Sequence, residues 1–115
     1  MTFELVRELG LALPDVNEGT QYGAPALKLG KRLLACMAIH PSAEPGSLVV
    51  RTDFETRGAL LAEEPSTFYV TEHYTNHPLV LVRLSRIKED QMRDLLQSGW
   101  RAIVAHRKRA EPKKL

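Results

Sequence analysis

The side chains best able to do chemistry cluster in one short segment, Glu72-His73-Tyr74 followed by His77. Two imidazoles four positions apart share a metal when both lie on one face of a helix. Pro78 and the apolar runs on either side argue against a helix, and no third ligand is near in sequence. His73, Tyr74 and His77 therefore read first as structural or surface residues of a loop, with metal or general-base work the lesser reading and contact with a ligand or partner kept open. Tyr22 joins them as a candidate contact, because a tyrosine between loops offers a ring face and a hydroxyl; simple packing is its other reading. Cys36 is the one cysteine and sits in the most apolar stretch, where a buried, inert thiol is expected. Gly-x-Ser-x-Gly, Cys-x-x-Cys, a phosphate-cradling glycine loop and His-Glu-x-x-His are all missing from the sequence. The expectation is a protein that is not an enzyme and needs no cofactor or metal.

The elements that position these residues belong to one domain. A chain of 115 residues with 43% apolar and 26% charged residues builds one core and is not disordered in bulk. A lone cysteine gives no internal disulfide, charged residues interrupt the first thirteen positions, and no apolar stretch is long enough for a membrane span. These features predict a cytoplasmic protein, taken as a monomer. The net charge of +2 is unevenly spread: residues 106–115 carry five basic side chains and one acid, leaving the body slightly acidic. A basic, flexible tail over 106–115 is expected to follow a domain spanning 1–105.

Thr2 caps a first helix that Pro14 ends, and Asp15–Gly19 reads as a loop. Strands are expected at Ala26–Leu29 and Leu33–Ile39, joined by a type II′ turn at Gly30-Lys31, with the second strand central in the sheet. Another strand covers Ser47–Thr52. Thr52 with Glu55 suggests a capping box for a short helix to Glu63. Strands at Thr67–Thr71 and Leu79–Leu84 precede a last helix, Glu89–Ala105, whose stripe is Met92, Leu95, Leu96, Trp100, Ile103 and Val104. This order predicts an α+β fold: a mainly antiparallel sheet with three helices packed on one face.

Strand alternation then turns Leu27, Leu29, Leu48, Val50, Phe68, Val70, Val80, Val82 and Leu84 toward the helices. The other face would carry Lys28, Val49, Arg51, Thr67, Tyr69, Thr71, Leu79, Leu81 and Arg83, with no carboxylate among them. Lys28, Arg51, Tyr69 and Arg83, helped by Lys31, Arg32 and the tail, suit a surface that lies along DNA phosphates. An ordinary solvated sheet face is the plainer reading. A rival reading is a protein- or small-molecule-binding cleft near Tyr22, His73, Tyr74 and His77, with Leu79 and Leu81 as an apolar patch.

The order of short signatures is also familiar. Leu13-Pro14 leads to Glu18-Gly19-Thr20 and Tyr22-Gly23-Ala24-Pro25-Ala26-Leu27-Lys28. Arg51-Thr52-Asp53, Val70-Thr71-Glu72-His73-Tyr74 and Pro78–Leu84 follow, then Leu95-Leu96 and Trp100-Arg101. This series resembles the MmcQ/YjbR-like family over nearly the whole chain except the tail. The resemblance implies a CyaY-like fold, also likened to the "double-wing" domain of the phage transcription factor MotA, and with it a DNA-binding role. Glu72 and Leu79 depart from the family pattern, standing where members often carry a proline and an aromatic. The acidic ridge that iron binding needs is not matched, since the first helix offers only Glu4 and Glu8.

Overall fold

Two side-chain caps and two tight hairpin turns, at Tyr22-Gly23 and Gly30-Lys31, set the framework in the computed structural model, which describes residues 1–110. Thr2 accepts a hydrogen bond from the Leu5 amide and opens α1 (Phe3–Leu11). The chain then forms β1 (Val16–Gln21), β2 (Ala24–Leu29), β3 (Arg32–Met37) and β4 (Ser47–Arg51). Next come α2 (Phe54–Glu63), β5 (Phe68–Tyr69), a single 3₁₀ turn at Glu72–Tyr74, β6 (Leu79–Arg83) and α3 (Glu89–Ala110). The strands form one antiparallel sheet in the order β1-β2-β3-β4-β6-β5. As expected, the fold is α+β, the central β3 is apolar on both faces, and the helices pack on one face.

That face holds the main core. Leu27, Leu29, Leu34, Leu48, Val50, Val80 and Val82 are buried against Val6 of α1 and Met92, Leu96 and Ile103 of α3. Leu60 and Leu61 of α2 pack at its margin. Register shifts by one residue between Leu27 and Lys28, so that Leu34 bulges from β3 and enters this core together with Ala35. Trp100 closes one side, its indole N–H donating to the Pro14 carbonyl at 2.8 Å.

Five expectations change. The segment expected as a loop, Asp15–Gly19, contributes to β1, an edge strand with four exposed residues in succession; its partner β2, not its own hydrophobicity, makes it a strand. Asp53, not Thr52, caps α2, its carboxylate accepting from the Thr56 amide at 2.7 Å and the Thr56 hydroxyl at 3.0 Å. Thr52 still extends the pairing of β4 with β6, its amide donating to Pro78 O at 2.9 Å. The strand expected over Thr67–Thr71 is only two residues long, and Val70 packs on the face away from the helices. Lastly, α3 continues past Ala105 to Ala110, so His106–Ala110 extend the helix, and the rest of the expected tail (111–115) lies outside the described residues.

Candidate binding cleft

The register of the sheet builds the site. Ala26, Cys36, Val49, Leu81 and Tyr69 stand side by side across β2, β3, β4, β6 and β5, and all five point away from the helices. A second row, Lys28, Leu33, Arg51 and Leu79, runs beside the first; Lys28 pairs with Leu33, and Arg51 with Leu79. The expectation of an open face fails along the first row. Val49 and Leu81 are 2% and 0% exposed because Tyr74, brought in by the 3₁₀ turn, packs over them as a second, smaller core. Loop residues Ala38 and Ala43 join it from the other side.

Where this cover is incomplete, a cleft of about 590 Å³ remains. Cys36, Val49, Leu33 and Leu79 line it with apolar atoms, and small Cys36 leaves depth. Ile39 and His40 come from one side, His73, Tyr74 and His77 from the other, and Gln21 and Tyr22 from the first hairpin. The structure thus brings together Tyr22, His73, Tyr74 and His77, the four residues singled out in the sequence as candidate contacts.

His40 is the residue that sequence reasoning missed. Its ring stacks on His73 with centroids 3.5 Å apart and planes 10° from parallel, and Tyr74 meets His73 edge-on at 4.8 Å. The Ser42 amide donates to His40 Nδ1 at 3.1 Å, which puts the proton of the neutral ring on Nε2. Ser42 Oγ also bonds Thr71 Oγ1 at 2.8 Å, tying the two walls together. Thirty-three residues separate the stacked rings in sequence, and no local pattern announces such a pair. Arg57 was likewise unseen: from α2 it donates to the carbonyls of Thr75, His77 and Leu79, holding the wall that carries His77.

Tyr22 is placed at a cost. It forms the tip of the β1–β2 hairpin with Gly23, at φ 51° and 81°, the pattern of a type I′ turn. A tyrosine in the left-handed region costs on the order of 1 kcal/mol relative to the asparagine this turn favours. Its side chain is nevertheless 85% exposed, so core packing does not explain it.

Burial dominates the electrostatics of the cleft. Burial pushes the Cys36 thiol up to about 11, with Lys28 opposing, so the sulfur is protonated at neutral pH and is no thiolate nucleophile. The Tyr74 hydroxyl is raised too, chiefly by burial, with Cys36 adding and the His40 backbone opposing. Both groups bind their protons more tightly in the folded chain. The contribution of the Cys36 thiol is full below pH 9 and is lost as pH rises from about 9 to about 11, because the unfolded thiol ionises first. Urea unfolding across that range should show falling stability, and Cys36→Ala should flatten the slope in part. Among the described residues, no group of three or more His, Cys, Asp or Glu side chains could hold a metal.

The six residues expected along DNA do not form one patch. Arg83 and Tyr69 lie near one end of the sheet and are engaged within the protein. The Arg83 guanidinium sits 4.3 Å over the Tyr69 ring, pairs with Glu44 at 2.6 Å, and donates to the carbonyls of Pro65 and Ser66. The Tyr69 hydroxyl accepts from the Glu44 amide and bonds Ser47 Oγ. The strands carry no outward carboxylate, but the 38–46 loop supplies Glu44. Arg51 is at the other end of β4, where its Nε donates to Leu33 O at 3.2 Å. Lys31 is exposed in the β2–β3 turn, where Gly30 has φ 63°; Arg32 follows it, and Lys28 is half-buried beside Leu33.

No helix among the described residues is long and apolar enough to cross a membrane. Among known proteins, the chain is 35% identical over 49 residues to "Uncharacterized protein Rv2570" of Mycobacterium tuberculosis (strain ATCC 25618 / H37Rv) and, to the same extent, to "Uncharacterized protein Mb2600" of Mycobacterium bovis. The matched segment is 43% of this chain and 38% of each relative, well under half the length of those proteins. A family model described as YjbR matches residues 11–102, which takes in every strand, α2 and most of α3. The chain belongs to the YjbR family.

Proposed function

We propose that this protein is a non-enzymatic binding module that holds a flat, largely apolar group in the cleft over Cys36 and Val49. One observation carries the reading: the exposed Tyr22, kept in a strained backbone conformation, stands at the rim of a 590 Å³ apolar cleft beside the stacked His40–His73 pair. Ligand pockets of roughly 300–1,000 Å³ with apolar walls and a few polar groups are typical of small-molecule sites. Strain kept at an exposed position is more often found where function needs the side chain. The floor supplies dispersion, the rings supply faces for stacking, and His40 Nε2 supplies a donor. An aromatic small molecule fits these features, and so does an aromatic side chain of a partner protein. The module acts as a cytoplasmic monomer in this reading.

Tyr22→Asn separates function from stability. The substitution should raise stability by about 0.5–1 kcal/mol, because Asn-Gly suits the type I′ turn. It should also weaken the binding of fused-ring aromatic fragments, measured by saturation-transfer NMR beside a urea melt. Unchanged fragment affinity in a stabilised variant would remove Tyr22 from the site and count against the cleft.

DNA binding is a second reading, now confined to one end of the sheet. The observation favouring it is that Lys31, Arg32 and Arg51 gather there with the basic end of α3; Arg107 approaches Gly30 closely enough to lie 3.3 Å from a methyl group placed on it. Fluorescence anisotropy with short duplex and single-stranded DNA over a salt series tests it. Arg32→Ala should flatten the salt slope by about one unit if this end carries the phosphates. Wild-type affinity and slope in that variant would dismiss the reading.

A further inference from the structure

A second depression, of about 360 Å³, lies where β3, β4 and the start of α2 meet α3, and it shares no lining residue with the cleft. Arg32, Arg51, Thr52, Asp53, Phe54 and His106 are among its lining residues. Two arginines in one concavity repel each other. Burial, and after it the charge of Arg32, lowers the Arg51 pKa from its ordinary value. Arg51 uses Nε to hold Leu33 O, while its two terminal nitrogens and the whole Arg32 guanidinium have no protein acceptor among the described residues. Asp53 is the carboxylate nearby, and both its oxygens are spent on Thr56 at the start of α2.

Thr52 lines the same depression. Thr52 is 1% exposed, yet its hydroxyl has no hydrogen-bond partner among the described residues. A buried hydroxyl without a partner is costly, and native proteins keep few of them. Beside it, α2 begins at Phe54, with its first turn already capped by the Asp53 carboxylate. Phe54, 52% exposed, and Pro78 add apolar atoms to the lining.

We infer that this depression is a binding site for an oxyanion of the phosphate class, held by Arg32 and Arg51. The anion relieves the repulsion between the arginines and supplies acceptors to their free N–H groups. His106 gives the rim a further donor. The site does not depend on the cleft reading, and a free phosphate group or a nucleic-acid phosphate carries the same chemistry.

The test uses the full chain and inorganic phosphate, followed by ¹H–¹⁵N NMR at the Arg51 and Arg32 Nε–H groups and the Thr52 and Phe54 amides. Saturable shifts at these four positions are expected. Loss of the Arg32 fork should weaken phosphate binding about tenfold in Arg32→Ala, the usual scale for a charge-assisted pair. Arg51→Lys keeps the charge but not the fork, and should weaken it too while the chain stays folded. Short duplex DNA is the second arm. If DNA displaces phosphate and Arg32→Ala weakens both, the phosphate of a nucleic acid is a ligand of this site. If phosphate saturates the site and DNA does not compete, the ligand is a free phosphate compound. Either result supports the anion site. Absence of saturable shifts at these positions, or phosphate affinity unchanged in both arginine variants, would overturn it.

Discussion

Gly99→Ala will destabilise the fold by roughly 2 kcal/mol, although alanine is the better helix former. Gly99 is the point where α3 crosses β4. A methyl group there would lie 2.4 Å from the Arg51 carbonyl oxygen and 3.2 Å from Leu34 Cδ1. A backbone carbonyl inside a sheet cannot move aside as a side-chain end can, so the helix itself must lift. Overpacking of this kind costs about 1–3 kcal/mol, and the rigid neighbour puts this case near the upper end. The gain in helix propensity returns up to about 1 kcal/mol. Gly58→Ala is the matched control, because a methyl group on that exposed glycine of α2 meets nothing within 4 Å. It should stabilise the protein by up to about 1 kcal/mol. Urea unfolding of both variants reads the opposite signs; the same sign in both would mean that α3 does not pack on β4 as described. Gly10 differs from Gly99, since a methyl group there meets the end of the Leu27 side chain, which can rotate.

Tyr74→Ala will cost about 3 kcal/mol and abolish binding in the cleft together. The ring is 9% exposed and covers Val49, Leu81 and Cys36, so its removal leaves a hole over the second core and takes away the edge that meets His73. Large aromatic truncations cost about 3–5 kcal/mol when the site cannot collapse, and a partly exposed wall places this one at the lower figure. Tyr74→Phe keeps the ring and should lose under about 1 kcal/mol, the worth of one hydroxyl. It should also keep fragment binding. Loss of binding in the phenylalanine variant would mean that the hydroxyl, not the ring, makes the contact.

The residues explain what could be read in the sequence and what could not. Alternation at Leu27 and Leu29, Leu48 and Val50, and Val80 and Val82 marked the buried face correctly, as did the stripe of α3 from Met92 to Val104. Gly30-Lys31 announced its turn because only glycine adopts that first position freely. Edge strand β1 was hidden, since its sequence Val-Asn-Glu-Gly-Thr-Gln carries no alternating pattern and owes its conformation to β2. Val70 was misassigned because β5 stops at Tyr69 and the chain then turns into the 3₁₀ segment. Tyr22, His73, Tyr74 and His77 were singled out from their chemistry, and they line one cleft. Their meeting with His40 was not legible, for it depends on two loops closing over the sheet from opposite sides. The proposed DNA surface was drawn from alternation, which places side chains on a face but says nothing of the loops that cover it. Glu44 of one such loop neutralises Arg83.

The cleft is most directly tested by titrating uniformly ¹⁵N-labelled protein with fused-ring aromatic fragments and mapping the shifted amides. Saturable shifts confined to Tyr22, Ile39, His40, His73 and His77, together with protection of the single thiol, Cys36, from slow alkylation, are the predicted result. Shifts scattered over the surface without saturation, or an unprotected Cys36 at saturating fragment, would contradict a ligand cleft over β3 and β4.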